Sequence, residues 1–123
     1  MIVEDDPAIQ RMIGDYFRHM GYDILTAGDG EAGVRLAQSE RPAVMILDLM
    51  LPKLDGVEVC QRVRTDKAMD DVRIICISGM VEEDKIEDLK AAGANDFLHK
   101  PFEVETLIER MCSLLDIEAV TSR

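Results

Sequence analysis

The chain has 123 residues, enough for one domain that buries a single core without disulfides or structural metal. With 14 Lys and Arg against 25 Asp and Glu the formal net charge is -11, which excludes a surface built to bind polyanionic nucleic acid. Trp is absent and Phe and Tyr are few, so the core is aliphatic, and no apolar run approaches the roughly 20 residues that span a bilayer. The odd cysteine count, at Cys60, Cys76 and Cys112, fits no disulfide framework or metal spacing and predicts buried thiols in a soluble cytoplasmic protein.

In chain order, Met1-Glu4 reads as a short apolar strand that runs into three consecutive carboxylates, Glu4, Asp5 and Asp6. Between Asp6 and Gly21 the apolar residues Ile9, Met12, Ile13, Tyr16, Phe17 and Met20 recur at helical spacing, with Asp6 as N-cap, Pro7 at the first position and Gly21 as the stop. Further helices are predicted at Gly30-Ser39, Asp55-Asp66, Val81-Ala92 and Val104-Leu115, and further strands at Tyr22-Thr26, Ala43-Asp48, Val72-Ser78 and Ala94-Lys100. Strict alternation of strand and helix predicts parallel βαβ units, an α/β doubly wound sheet of five strands. Ala43-Leu47 and Ile74-Ile77 are continuously apolar, as central strands covered on both faces should be. The second and fifth strands are interrupted by polar residues and are placed at the edges, which the order 2-1-3-4-5 satisfies. That order brings the first and third strands together at the switch point, where open α/β sheets bind ligands beyond the carboxyl ends.

Under this topology Glu4 and Asp5 meet Asp48 at neighbouring strand ends. Two like charges about 4 Å apart repel by about 4 kcal/mol at an effective dielectric of 20. A hard divalent cation resolves that conflict, and carboxylates completed by water and a phosphate oxygen describe a Mg²⁺ site. Asp48 then has the chemistry of a nucleophile that forms an acyl phosphate. Ser78, followed by Gly79, offers a hydroxyl at the fourth strand end. Lys100, before Pro101 in a predicted cis-proline turn, offers an ammonium that neutralises phosphoryl charge.

Together these residues resemble the receiver domain of two-component response regulators, a flavodoxin-like fold, over essentially the whole chain. The matching motifs are Val3-Glu4-Asp5-Asp6, Asp48-Leu49-Met50-Leu51-Pro52 with Asp55-Gly56, Ile77-Ser78-Gly79 and Lys100-Pro101-Phe102. The steps of 30 residues from Asp48 to Ser78 and 22 from Ser78 to Lys100 match as well. The resemblance implies that Asp48 is phosphorylated by a histidine kinase or histidine phosphotransfer protein. It implies Mg²⁺ held by Asp5, Asp48 and the main-chain carbonyl of Met50, with Glu4 acting through bound water. Ser78 and Lys100 would contact the phosphoryl oxygens, and Ser78 and Phe97 would form the switch that alters the face of the fourth helix, fifth strand and fifth helix. It also implies a domain over residues 1-117 with 118-123 as a tail or linker, a downstream effector, a phosphorylation-dependent homodimer and no membrane or direct nucleic-acid contact. The chain would catalyse only its own phosphorylation and dephosphorylation, and it would not act as an enzyme on a metabolite.

Three other readings compete. Gly28-Asp29-Gly30-Glu31-Ala32-Gly33 spells a dinucleotide-binding fingerprint, but Asp29 and Glu31 would face a pyrophosphate with like charge, and glycine serves a helix-entry loop equally well through its backbone freedom. Phosphatases resembling the haloacid dehalogenase family need a second aspartate where Met50 stands. A receiver-like module that only binds proteins would leave Asp48 unmodified.

Overall fold

The computed structural model describes residues 1–51, 54–79 and 83–115. Its elements alternate as expected: β1 (Ile2–Val3), α1 (Pro7–His19), β2 (Thr26–Ala27), α2 (Gly30–Glu40), β3 (Val44–Asp48), α3 (Gly56–Thr65), β4 (Arg73–Ser78), α4 (Glu83–Ala91), β5 (Asp96–His99) and α5 (Val104–Leu115). The five strands form one parallel sheet in the order β2-β1-β3-β4-β5. Among the described helices none is long and apolar enough to cross a membrane.

The sheet separates two aliphatic layers, and alternation along the strands decides which side chain enters which. Ile2, Val44, Ile46, Ile75 and Ile77 pack with Ile13 and Phe17 of α1 and Leu107, Ile108 and Met111 of α5. Val3, Met45, Leu47, Ile74 and Cys76 pack on the other face with α2, α3 and Leu89 of α4. Cys60, Cys76 and Cys112 are buried and form no disulfide, as the sequence predicts.

Helix ends follow their sequence signals. The Asp6 carboxylate accepts from the Ala8 N–H at 2.9 Å, and Asp29 and Asp55 cap α2 and α3 in the same way. Gly21 and Gly93, at φ 92° and 106°, occupy the left-handed region that ends α1 and α4. The Lys100–Pro101 peptide is cis.

Three details differ from expectation. The second strand is Thr26–Ala27, not Tyr22-Thr26, because this edge strand can pair only with β1, and β1 itself is a two-residue ladder, shorter than Met1-Glu4. A 3₁₀ turn at Lys67–Met69, capped by Asp66, joins α3 to β4 where a plain loop was expected. The predicted start of the fourth helix at Val81 lies outside the described residues.

In the dinucleotide-like run Gly30 and Gly33 serve packing and not backbone freedom, whereas a Cβ on Gly28 would meet nothing within 4 Å. None of Gly28, Gly30 and Gly33 has positive φ. A Cβ on Gly30 would stand 2.7 Å from Leu54 Cβ and 2.8 Å from the Leu54 carbonyl, and one on Gly33 would stand 3.0 Å from both methyls of Val3. The Asp29 carboxylate occupies the helix N-terminus, accepting from the Ala32 N–H at 2.8 Å, where a pyrophosphate would need to bind. Gly30→Ala is therefore expected to cost about 2 kcal/mol in denaturant unfolding, because it drives a methyl into backbone that cannot retreat. NAD should leave the melting temperature of the parent chain unchanged.

Candidate acidic phosphoacceptor and metal site

Each functional side chain sits at or just past a carboxyl end of the sheet. β1 delivers Glu4 and Asp5, β3 ends in Asp48, β4 ends in Ser78, and the chain leaving β5 reaches Lys100 two residues before Phe102. Because β1 lies beside β3 in register, with Ile2 opposite Ile46 and Val3 opposite Leu47, the acids that follow are brought together. Carboxylate oxygens of Glu4, Asp5 and Asp48 all lie within 4.8 Å of one another.

Glu4 and Asp48 are 1% and 3% exposed, so their charges are nearly out of water, while Asp5 stands exposed at the mouth. Lys100 Nζ answers both buried acids at once, at 3.0 Å from Glu4 Oε1 and 3.1 Å from Asp48 Oδ2. The Met50 N–H donates to Asp48 Oδ1 at 3.0 Å, and the Asp6 N–H donates to Glu4 Oε2 at 3.3 Å. Gln10 of α1 adds a contact that no local pattern announced, its Nε2 donating to the Glu4 carbonyl at 3.0 Å. The Lys100 N–H donates to the Ser78 carbonyl at 2.8 Å, which ties the lysine's backbone to the end of β4.

These contacts split the two buried carboxyls. Burial and the hydrogen bond shared with Asp48 push the Glu4 pKa up to about 7, against the opposing effect of Lys100. Burial also works against ionised Asp48, but hydrogen bonds from Glu4, the Met50 N–H and Lys100 more than reverse it and hold Asp48 below its ordinary value. Lys100 loses water too, yet its two carboxylate partners raise its pKa and keep it cationic. Asp48 is thus the ionised member of the pair, as a carboxylate nucleophile must be.

The folded chain holds the Glu4 proton up to about pH 7, whereas an unfolded glutamate releases it near 4.5, so this stability is complete below pH 4.5 and is lost as pH rises through 7. The Met1 ammonium, lowered to about 6 by burial, acts in the opposite sense above pH 6. Comparison with Glu4→Gln isolates the carboxyl. Without divalent cation, the melting temperature of the parent chain is expected to fall relative to that of Glu4→Gln between pH 5 and 7.5.

The donor set suits a hard divalent cation. Two buried carboxylates and one exposed carboxylate outnumber the ammonium of Lys100, the one cation in contact with them among the described residues, and all the donors are oxygens. Ser78 is fully buried at the end of β4, and Gly79 beside it leaves open space. Phe97 of β5 is half-buried and meets the His99 ring edge to face, with centroids 5.1 Å apart. Of the residues singled out in the sequence, Glu4, Asp5, Asp48 and Lys100 converge on one point, whereas Phe97 lies outside that contact network.

Comparison with known proteins agrees with this geometry. The family described as response regulator receiver domain matches residues 1–112. The DNA-binding dual master transcriptional regulator RpaA of Synechocystis is 40% identical over 116 residues, covering 94% of this chain and 48% of that protein. The alkaline phosphatase synthesis transcriptional regulatory protein PhoP of Bacillus subtilis is 37% identical, covering 94% of this chain and 47% of that protein. The chain thus spans about half the length of the curated relatives it matches. Among solved structures, a putative response regulator from Chloroflexus aurantiacus superposes with a TM-score of 0.86 at 31% identity, covering 94% of each chain. The receiver domain of the sensor histidine kinase PA1611 from Pseudomonas aeruginosa, with a magnesium ion coordinated in its active-site cleft, superposes with a TM-score of 0.85 at 30% identity, again covering 94% of each chain. With the sheet order, the strand-end acids and the family match in agreement, this chain belongs to the response regulator receiver domains of two-component signalling.

Proposed function

We propose that Asp48 is the phosphoacceptor of this domain and that the donor is the phosphohistidine of a histidine kinase or phosphotransfer protein. The observation that carries this reading is the pairing of Asp48 with Lys100: a buried, ionised carboxylate at a strand end, 3.1 Å from a cation whose other partner is Glu4. An Asp48 carboxylate oxygen attacks phosphorus, the P–N bond of the phosphohistidine breaks, and the imidazole nitrogen leaves with the bonding pair. The Met50 N–H and Lys100 fix the plane of the carboxylate before attack, so little reorganisation remains at the moment of transfer. Once Asp48 is esterified, Lys100 would neutralise a phosphoryl oxygen, and the Ser78 hydroxyl would swing toward another and bond it.

Glu4, Asp5 and Asp48, with the Met50 carbonyl, would hold Mg²⁺, which neutralises charge on the transferring group. The chemistry is modification of the domain itself, and water attack on the acyl phosphate reverses it. Met50, whose N–H donates to Asp48 and whose apolar side chain is 69% exposed, would impede that water once the ester forms. Met50→Asn is expected to speed loss of the phosphoryl group several-fold, read as the decay of phosphoprotein after donor removal. Met80, two residues past Ser78 as Met50 is two past Asp48, would impede the same water and lies outside the described residues.

For output we favour the face of α4, β5 and α5. Phe97 borders a hollow of about 350 Å³ that it shares with Ile86, Leu89 and Ala94, space into which its ring can turn when Ser78 moves toward the phosphate. The partner on that face is an effector segment or a second phosphorylated copy. The net charge of -11 argues that any DNA contact by the whole regulator lies outside this domain. The domain boundary proposed at residue 117, and the tail beyond it, lie outside the described residues.

Incubation with acetyl phosphate tests the reading. One phosphoryl group per chain is expected by intact mass in the presence of Mg²⁺ and none after chelation. No modification under either condition would leave the chain a protein-binding module only.

A further inference from the structure

Of the three acids at the strand ends, Asp5 is the one least held by its own side chain. Glu4 and Asp48 are buried and share Lys100, whereas Asp5 is exposed, and among the described residues no hydrogen bond or ion pair reaches its carboxylate. One of its oxygens nevertheless lies within 4.8 Å of oxygens of the other two. What aims it is the backbone on either side.

Both peptide units that flank Asp5 are fastened. The unit entering it carries the Glu4 carbonyl, which accepts from Gln10 Nε2 at 3.0 Å, and the unit leaving it carries the Asp6 N–H, which donates to Glu4 Oε2 at 3.3 Å. A peptide unit is planar, so a carbonyl held in place restrains the N–H and Cα at its other end. The second fastening comes from within the site, but the first comes from α1. Gln10 Nε2 also donates to the Ala27 carbonyl at 3.4 Å, and that carbonyl accepts from the Glu4 N–H at 3.0 Å. One side-chain amide thus joins the carboxyl ends of β1 and β2.

The sequence places this amide through the cap of the helix. Asp6 caps α1, Pro7 begins it, and the Asp6 carbonyl accepts from the Gln10 N–H at 3.0 Å, which closes the first turn. Gln10 is half-buried there and brings two N–H donors to two carbonyls, with no charge to disturb the acids beside it. Both carbonyls can only accept, so the amide has one orientation that satisfies them.

A Mg²⁺ ion requires near-octahedral oxygens at about 2.1 Å, whereas Ca²⁺ accepts looser sets at about 2.4 Å. A carboxylate aimed by its backbone meets the stricter demand only while that backbone is fixed. We propose that Gln10 is a positioning residue of the metal site: by fastening the Glu4 carbonyl it fixes the approach of Asp5 and so favours Mg²⁺ over Ca²⁺. The inference rests on the reading of Glu4, Asp5 and Asp48 as the acids that hold a divalent cation.

The test titrates isotope-labelled chains with MgCl₂ or CaCl₂ and reads amide shifts, with no phosphoryl donor present. Gln10→Met keeps the length and the net charge and removes both donors. Arg64→Met is the stability control, because it removes hydrogen bonds to the Gly93 and Met69 carbonyls at the amino end of the sheet, away from the acids. Gln10→Met is expected to weaken Mg²⁺ binding about tenfold and Ca²⁺ binding less than about threefold, while Arg64→Met changes neither. Phosphorylation of Gln10→Met by acetyl phosphate should slow at limiting Mg²⁺ and recover at saturation. Equal weakening of both ions in Gln10→Met, or none, would overturn the proposal. So would the same loss in Arg64→Met, which would mark the effect as one of stability. Binding is read without phosphoryl transfer, so these outcomes do not depend on whether Asp48 is the acceptor; a parent chain that binds neither ion would overturn the ligand set itself, and the proposal with it.

Discussion

Asp48→Asn is expected to abolish Mg²⁺-dependent uptake of a phosphoryl group while leaving the domain folded. The amide oxygen keeps one of the two contacts that seat Asp48 in the parent chain, accepting from the Met50 N–H in place of Oδ1, while the amide nitrogen in place of Oδ2 cannot accept from Lys100, which retains Glu4 as its partner. Loss of one negative charge beside Glu4 also relieves like-charge repulsion, so the change in stability is small and its sign is set by the lost bond to Lys100. The nucleophile, by contrast, is lost outright, because an amide oxygen does not form a stable acyl phosphate. The expected readout is no phosphoprotein by intact mass, with a melting temperature within a few degrees of the parent. Full modification of Asp48→Asn would place the acceptor elsewhere.

Lys100→Met removes a cation in contact with two carboxylates that are 1% and 3% exposed. Removing one partner of a buried ion pair costs more than the pair contributed, because the remaining charge stays buried without compensation. At pH 8 without divalent cation we expect a loss of about 3 kcal/mol, a fall of about 10 °C in melting temperature. The loss should shrink at pH 6, where Glu4 takes up its proton, and Mg²⁺ should recover part of it by supplying the missing charge. Phosphorylation by acetyl phosphate with saturating Mg²⁺ should slow by about 100-fold, the scale of losing one preorganised charge at a developing oxyanion. A melting temperature unchanged at pH 8 would mean that water already reaches the pair and that the lysine is not what holds it.

How much of this was legible in the sequence depends on whether a residue's role is set locally. β3 and β4 were readable because strands covered on both faces must be apolar throughout, and Met45, Leu47, Ile75 and Ile77 are fully or nearly fully buried. The caps at Asp6, Asp29 and Asp55 were readable for the same reason, each side chain reaching an amide two or three residues on. β2 was misplaced because an edge strand has no pairing signal of its own; its ladder extends only as far as β1 reaches beside it. The glycines of α2 were assigned to backbone freedom when their cause is distant, the side chains of Leu54 and Val3 arriving from other elements.

The site divides along the same line. Strand-end position brought Glu4, Asp5 and Asp48 together before any coordinates, because topology alone makes β1 and β3 neighbours. That Lys100 spans Glu4 and Asp48 at once was not legible, since it depends on how the chain turns beyond β5. Arg64 had no sequence signal at all. Its guanidinium donates to the Gly93 carbonyl, the Met69 carbonyl and Asn95 Oδ1, fastening α3 to the turns before β4 and β5, and these are contacts between residues up to 31 apart in the chain.

The central claim is that one carboxylate among three adjacent ones carries the phosphoryl group, and its most direct test is to locate that group. After modification with acetyl phosphate and Mg²⁺, borohydride reduction converts an aspartyl phosphate to homoserine, which tandem mass spectrometry assigns to a position. The geometry predicts homoserine at residue 48 alone, because Asp48 is the acid held ionised by Lys100 and the Met50 N–H. Homoserine at residue 5, or an unreduced chain after confirmed Mg²⁺ binding, would contradict it.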